Sequence, residues 1–244
     1  PAVGTAPQQV ALDTGHRCPA HREGLATRIA AHAGQDGRGG RVALPSPLAP
    51  ETTATVSLQY SLILPFAEQQ DPSVERPRIY GYTDRQVNLA NWYPFIVPYA
   101  AGTGWVLHDP WYYGEHLVYE AADYEVNLKT DPSVVVAASG VVESESEWVR
   151  YGLQAGRTFA ISASPEFQTV NAQVGDVTIT SYYFPFYETP GKTVLEVSAQ
   201  AGELYSQRFG PYPHKSLAAV MGDFNDGMEY SAFYFLPRDF YNLY

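Results

Sequence analysis

The sequence predicts a mainly β chain: an antiparallel, sandwich- or saddle-like N-terminal β domain followed by the beginning of an α+β domain. Three observations predict it. Short runs from Thr53 onward alternate apolar with small or polar residues, the period of strands with one buried face. Nineteen Tyr and nineteen Pro favour many strands joined by rigid loops over a helical bundle. At Thr189 the apolar spacing changes from two to three and four residues, as where a helix follows strands. The expected organisation is a poorly patterned lead-in at 1–41, a β domain at 42–170 and the start of the α+β domain at 171–244, with a seam near 165–180.

The elements follow in order. Residues 1–41 hold seven Gly, eight Ala, five Arg and three His, and every aromatic residue of the chain lies from Tyr60 onward. This lead-in is read as loosely packed, or in part as a misread coding frame. A short helix through Leu25 and Ile29 is its one periodic feature. Val56, Leu58, Tyr60, Leu62 and Leu64 alternate as a strand that Pro65 stops. The aromatic, Pro-punctuated stretch from Tyr80 to Tyr113 is too broken for regular elements. Tyr124, Val126 and Leu128 alternate again, and Val134 to Ala138 is a continuous apolar run, as for a strand covered on both faces. Phe159 and Ile161 mark a further strand. Val170 to Val174 and Val177 to Ile179 flank Gly175-Asp176, a hairpin signal. Pro190 lies near a helix start, Val194, Val197, Ala201 and Leu204 form one helical face, and Gly210-Pro211 is the stop. Leu217 to Val220 and Ala232 to Leu236 read as strands.

The bulk numbers narrow the function. A formal charge of -11, from 15 basic and 26 acidic side chains, offers no basic footprint for nucleic acid or an anionic membrane. No apolar run is long enough to span a bilayer. The single cysteine, Cys18, excludes an internal disulfide framework and a multi-cysteine zinc site. The chain starts at Pro1 without a signal segment, so the start reads as processed or trimmed and leaves secretion open. The Lys-poor, Tyr-rich composition leans toward an extracytoplasmic setting.

The end of the chain carries the most specific pattern. Phe209-Gly210-Pro211-Tyr212-Pro213 closes the expected helix, a strand follows, and then comes Phe224-Asn225-Asp226-Gly227-Met228-Glu229-Tyr230. Thr178 to Tyr241 resembles the opening of the catalytic domain of the alanyl aminopeptidases, gluzincin zinc metallopeptidases. These domains begin with a strand, a helix ending in a Phe-Gly-x-Tyr-Pro turn, a strand, and a Phe-Asn-x-Gly-x-Met-Glu-Asn type loop. A bacterial branch writes the loop Gly-Gly-Met-Glu-Tyr-Pro. The present chain is similar to that branch, with Asp226 in place of the first Gly and Ser231 in place of the Pro. Asn88 to Pro94, Asp109-Pro110, Ala122 to Val126 and Phe159 to Pro165 also resemble the family's N-terminal β domain in kind and order. The likeness covers roughly residues 42–244.

The resemblance implies a thermolysin-like second domain and an exopeptidase that selects a free peptide N-terminus. Selection needs a carboxylate where the substrate ammonium arrives, because a charge-assisted hydrogen bond is strong there. By resemblance Glu229 takes that part, Gly227 and Met228 offer backbone groups along the cleft, and Asp226 is a weaker candidate for the same wall. Water activation implies zinc held by His-Glu-x-x-His and a distal Glu. None of the six His (His16, His21, His32, His108, His116, His214) falls in that motif. The resemblance puts it beyond Tyr244. The chain alone is therefore expected to hold no metal and no catalytic residue, and to be inactive without the rest of the catalytic domain. Zinc belongs to the full-length enzyme.

Other readings stand beside this one. Glu229 also reads as an ordinary strand-end carboxylate, and His214 as a loop residue near the cleft. His16, Cys18 and His21 crowd like metal ligands but lack a fourth. Trp92, Tyr93, Trp105, Trp111, Tyr112 and Tyr113 suit either a sugar-stacking surface or an inter-loop core. Hence two alternative functions: a family member without catalysis acting as a scaffold, and a secreted β-rich carbohydrate-binding module.

Overall fold

The computed structural model describes residues 26–30, 39–43, 47–58, 60–67, 79–90, 92–106, 120–144 and 146–243. In chain order the elements are β1 (Ala26–Ala30), β2 (Gly39–Ala43), β3 (Gly81–Tyr82), β4 (Val87–Leu89), β5 (Phe95–Ile96), β6 (Tyr99–Ala100), β7 (Gly104–Trp105), β8 (Ala122–Leu128), β9 (Val135–Ala138), β10 (Val141–Ser144), β11 (Val149–Gly156), β12 (Ile161–Ser164), β13 (Gln168–Val174), β14 (Val177–Tyr183), α1 (Glu188–Phe209), β15 (Ser216–Met221), β16 (Met228–Tyr230), β17 (Phe233–Leu236) and α2 (Arg238–Tyr241). The chain is mainly β, as its alternation predicts. It divides into two compact units, residues 1–62 with 91–123 and residues 63–90 with 124–244.

In the first unit β1 lies between β2 and β5, antiparallel to both, with Ala26 opposite Ala43 and Ile29 opposite Ile96. The helix expected through Leu25 and Ile29 is therefore not formed over 26–30. Strand partners on both edges take up the backbone groups, whereas one helical turn in a Gly-rich stretch has little to sustain it. β6 and β7 form a small hairpin, and the Tyr99 and Trp105 rings meet edge to face at 5.3 Å. Trp92 and Tyr93 are each 4% exposed and also pack edge to face. Their rings serve as core. Trp111, Tyr112, Tyr113 and the His16–Cys18–His21 group lie outside the described residues.

The second unit holds three sheets: β10-β11-β8, β3-β4-β12-β9, and the five-stranded β13-β14-β15-β17-β16. The run at Val56 to Leu64, which spans the end of the first unit's 1–62 stretch and the start of the second unit, forms no strand among its described residues. Tyr60, Leu62 and Leu64 are half-buried while Ser61 and Ile63 are exposed, so the alternation holds there, but Leu58 is exposed, and among the described residues nearby only Phe66 makes a bridge, to Tyr82. Periodicity reports which side is covered. A strand also needs a neighbour, and the sequence is silent on that. The same reason accounts for β3 to β7, short ladders inside a stretch that looks too broken for any. The Val134 to Ala138 run forms β9, with Ala137 and Ala138 buried and Val135 and Val136 half-buried.

The five-stranded sheet positions the candidate site. β13 and β14 form the expected hairpin, Val174 opposite Val177. Of the two connecting residues only Gly175 takes a positive φ, 58°, the pattern of a type II′ turn. β14, β15 and β17 run parallel, and parallel neighbours need a crossover, which α1 supplies between β14 and β15. β16 turns back antiparallel at the sheet edge. One sheet face packs on the main core, where Phe233 and Val220 are fully buried and Phe167 stacks on Phe184 at 5.1 Å.

The other face carries α1. Its N-terminal half sits down on the sheet through Val194, Leu195 and Ser198. Its C-terminal half leaves a cavity of about 620 Å³ against β14, β15 and β17, walled by Val177, Ile179, Ala201, Leu217, Tyr234 and Leu236 among others. The predicted stripe is thus split: Val194 is buried, whereas Val197 is 57% and Leu204 45% exposed.

Candidate functional site

The Asp223 to Tyr230 segment joins β15 to β17. It starts as a loop and ends as β16, so Met228 and Glu229 stand on a strand where the sequence suggests a loop. Directly opposed residues of an antiparallel pair share a face. Met228 opposes Phe235, and Tyr230 opposes Phe233, so both side chains turn to the main core, against which they pack. Only the backbone of Met228 is left for the cleft. Glu229 opposes Tyr234, whose ring walls the cavity beneath α1. Its carboxylate therefore stands on the cavity side of the sheet edge, exposed, and among the described residues no hydrogen bond or ion pair engages it. Glu229 does not itself line the cavity.

Asp226 is half-buried, and its Oδ1 accepts the Gly227 N–H at 2.8 Å. Gly227 is exposed. A Cβ there meets only Phe235 O at 3.5 Å and Pro237 Cδ at 3.9 Å, ordinary contacts, so folding does not demand glycine at this point. Gly222 differs. The Phe224 ring occupies the place of its missing Cβ, Cζ lying 2.6 Å away, and that ring packs edge to face on Phe235.

Hydroxyl groups line the cavity's polar side. Ser198 Oγ donates to the Val194 carbonyl and so accepts from the Tyr234 hydroxyl, 2.6 Å away. Burial pushes the Tyr212 hydroxyl, near Tyr234, up to about 12. Burial, helped by nearby Tyr151, does the same for Tyr182 on the opposite sheet face, again to about 12. Both ionise near 10 in an unfolded chain. The folded form keeps the proton longer, so the contribution is intact below pH 10 and declines as pH rises toward 12. For Tyr182 alone the loss is on the order of 3 kcal/mol. Tyrosinate absorbance and circular dichroism followed together through this window are expected to change in one transition, with these hydroxyls titrating as the fold opens. His214, edge to face with Tyr212 at 5.5 Å, shifts the other way: burial holds its pKa down, partly offset by a backbone hydrogen bond at Gln154.

Sequence reasoning missed the residues that hold the segment in place. Gln86, just before β4, is 2% exposed and bonds to Met221 and Asp223. Arg238 donates through Nη1 to Asp223 Oδ1 at 3.2 Å and through its backbone N–H to Phe224 O at 2.9 Å. Thr158 and Ser231 clasp each other's backbone. No local periodicity marks Gln86 or Thr158. Ser231 did carry a signal, as the residue that departs from the resembling pattern.

Among the described residues no three His, Cys, Asp or Glu side chains gather closely enough to hold a metal ion. They do not form the zinc site that the resemblance implies. No helix among them is long and apolar enough to cross a membrane.

No protein-family model matches the chain, and no curated protein does. Solved structures do. A two-domain M1 zinc metallopeptidase mutant bound to L-arginine aligns at 17% identity and a TM-score of 0.53. An M1 zinc metallopeptidase from Deinococcus radiodurans aligns at 18% identity and a TM-score of 0.54. A two-domain M1 zinc metallopeptidase mutant bound to L-tryptophan aligns at 18% and 0.50. Each alignment covers 88% of this chain and 51% of the other, so the chain spans about half the length of the structures it matches. At these identities the likeness is one of fold. Over 88% of its length the chain shares the fold of about half of these M1 zinc metallopeptidases.

Proposed function

We propose that this chain is the front part of a zinc-dependent aminopeptidase, with residues 42–170 its N-terminal β domain and residues 171–244 the start of a thermolysin-like catalytic domain. One observation carries the reading: Glu229 presents an unengaged carboxylate from an edge strand, on the sheet face that holds the apolar cavity. β16 has no partner on its outer side among the described residues. Its backbone N–H and C=O groups suit an extended peptide laid alongside. Met228 and Gly227 then contribute main-chain groups, and Glu229 meets the peptide's terminal ammonium, with Asp226 on the same loop. Two of the matched structures are bound to free amino acids, molecules that carry such an ammonium.

The cavity and the exposed Tyr205 (59%) and Phe209 (82%) of α1 form an apolar bed, and the remainder of the catalytic domain is its occupant. That remainder supplies zinc, which when bound polarises a carbonyl and provides a hydroxide nucleophile at neutral pH. The present residues bind and orient the substrate end.

The test is made on the intact protein, comparing hydrolysis of a peptide with a free N-terminus and the same peptide N-acetylated. Cleavage restricted to the free form is expected. Equal cleavage of both removes the amine-recognition role, and cleavage of neither favours a family-like scaffold.

A further inference from the structure

The segment that carries β16 is fastened at both ends to the β scaffold of its own unit. At the front, Gln86 Nε2 donates to Met221 O at 3.1 Å and to Ser162 Oγ at 2.9 Å, while its Oε1 accepts the Asp223 N–H at 2.7 Å. A carbonyl can only accept and a backbone N–H can only donate, so these partners fix which way the amide points. Ser162 Oγ in turn donates to Asn88 Oδ1 at 2.8 Å, across the β4–β12 ladder. At the rear, Ser231 Oγ accepts the Arg157 N–H at 2.9 Å and the Thr158 N–H at 3.3 Å. The Ser231 N–H returns a bond to Thr158 Oγ1 at 3.0 Å. A proline at 231 has neither the hydroxyl nor the N–H, so this clasp depends on the serine. Ala232 follows with φ 58°, a left-handed turn that redirects the chain into β17.

The two fastenings bracket residues 223–231, the segment that contains Asp226, Gly227, Met228 and Glu229. Between them β16 pairs with β17 and the side chains of Met228 and Tyr230 pack on the core, while Glu229 projects from the opposite face. A carboxylate that must meet an ammonium within hydrogen-bond reach is sensitive to shifts well below its own length. We propose that Gln86 and the Thr158–Ser231 pair are positioning residues that set where Glu229 stands, so that the β scaffold determines how well the catalytic sheet recognises an amino terminus. The proposal rests on the amine-anchor reading of Glu229.

The test uses the intact enzyme and two competitive probes, L-leucinamide and 4-methylpentanamide, the same molecule without its ammonium. Gln86→Leu and Ser231→Ala are each expected to raise the inhibition constant of leucinamide by about tenfold and to move that of 4-methylpentanamide by less than about twofold. Ser231→Thr, which keeps the hydroxyl, restores the wild-type value. If Gln86→Leu does not fold, Ser231→Ala with its threonine rescue carries the same comparison. Unchanged leucinamide inhibition in the folded variants overturns the proposal, and so does an equal shift of both probes, which marks a merely structural role. Glu229→Ala run alongside separates the two claims: if it leaves leucinamide inhibition untouched, the amine-anchor reading falls on its own.

Discussion

Glu229→Ala in the intact protein is expected to lower kcat/KM for free-amine substrates by about 10²-fold, at the low end of what truncating one partner of a desolvated charge pair costs. The structure sets that end of the range. The carboxylate is exposed on an edge strand, and an exposed ion pair is worth little in water, so its value comes only when substrate and covering polypeptide exclude solvent. Glu229→Gln keeps an acceptor oxygen and loses the charge, so its loss is expected to be smaller. Stability should not follow activity. No hydrogen bond or ion pair among the described residues engages Glu229, and removing such a side chain typically changes folding by less than about 0.5 kcal/mol. Steady-state kinetics paired with thermal melts check both halves. A large drop in melting temperature in step with the lost activity points instead to a structural carboxylate.

Phe233→Ala is expected to destabilise the second unit by about 3–5 kcal/mol, the cost of an emptied aromatic site in a close-packed core. Phe233 is fully buried on the sheet face opposite α1, with its ring 4.8 Å from Phe235 and 6.0 Å from Tyr230. Its loss loosens the strand that pairs with β16, so amine recognition should weaken as well. Phe209→Ala is the control, since that ring is 82% exposed in the present chain. Urea denaturation followed by circular dichroism should show a lower midpoint for Phe233→Ala and none for Phe209→Ala. In the intact protein the Phe209 change becomes costly if the remainder of the catalytic domain covers α1.

Much of the second unit was legible because its signals are local. Val170 to Val174 and Val177 to Ile179 alternate around Gly175-Asp176, and a two-residue turn leaves one way to pair them. Val194 and Gly210 mark where α1 meets the sheet and where it stops, with Gly210 at φ 101°. Val56 to Leu64 shows the limit. Its burial alternates from Tyr60 to Leu64, though Leu58 is exposed, yet no ladder forms over its described residues, because a strand is completed by a partner that its own residues do not name. The strand Ala26–Ala30 shows the converse, a weak local pattern overridden by two neighbours.

The candidate site divides in the same way. The sequence by itself determined the chain's mainly β class, the switch to a helix near Thr189 and the segment that bears Glu229, because these depend on residues close together along the chain. Only the tertiary structure decided that Met228 turns to the core while Glu229 turns to the cavity side, and that Gln86, Thr158 and Ser231 hold the segment at its ends. Gln86 lies 137 residues from Asp223. A hydrogen bond across that separation leaves no trace in local periodicity, since it depends on two strands and a loop arriving at one place in the folded chain.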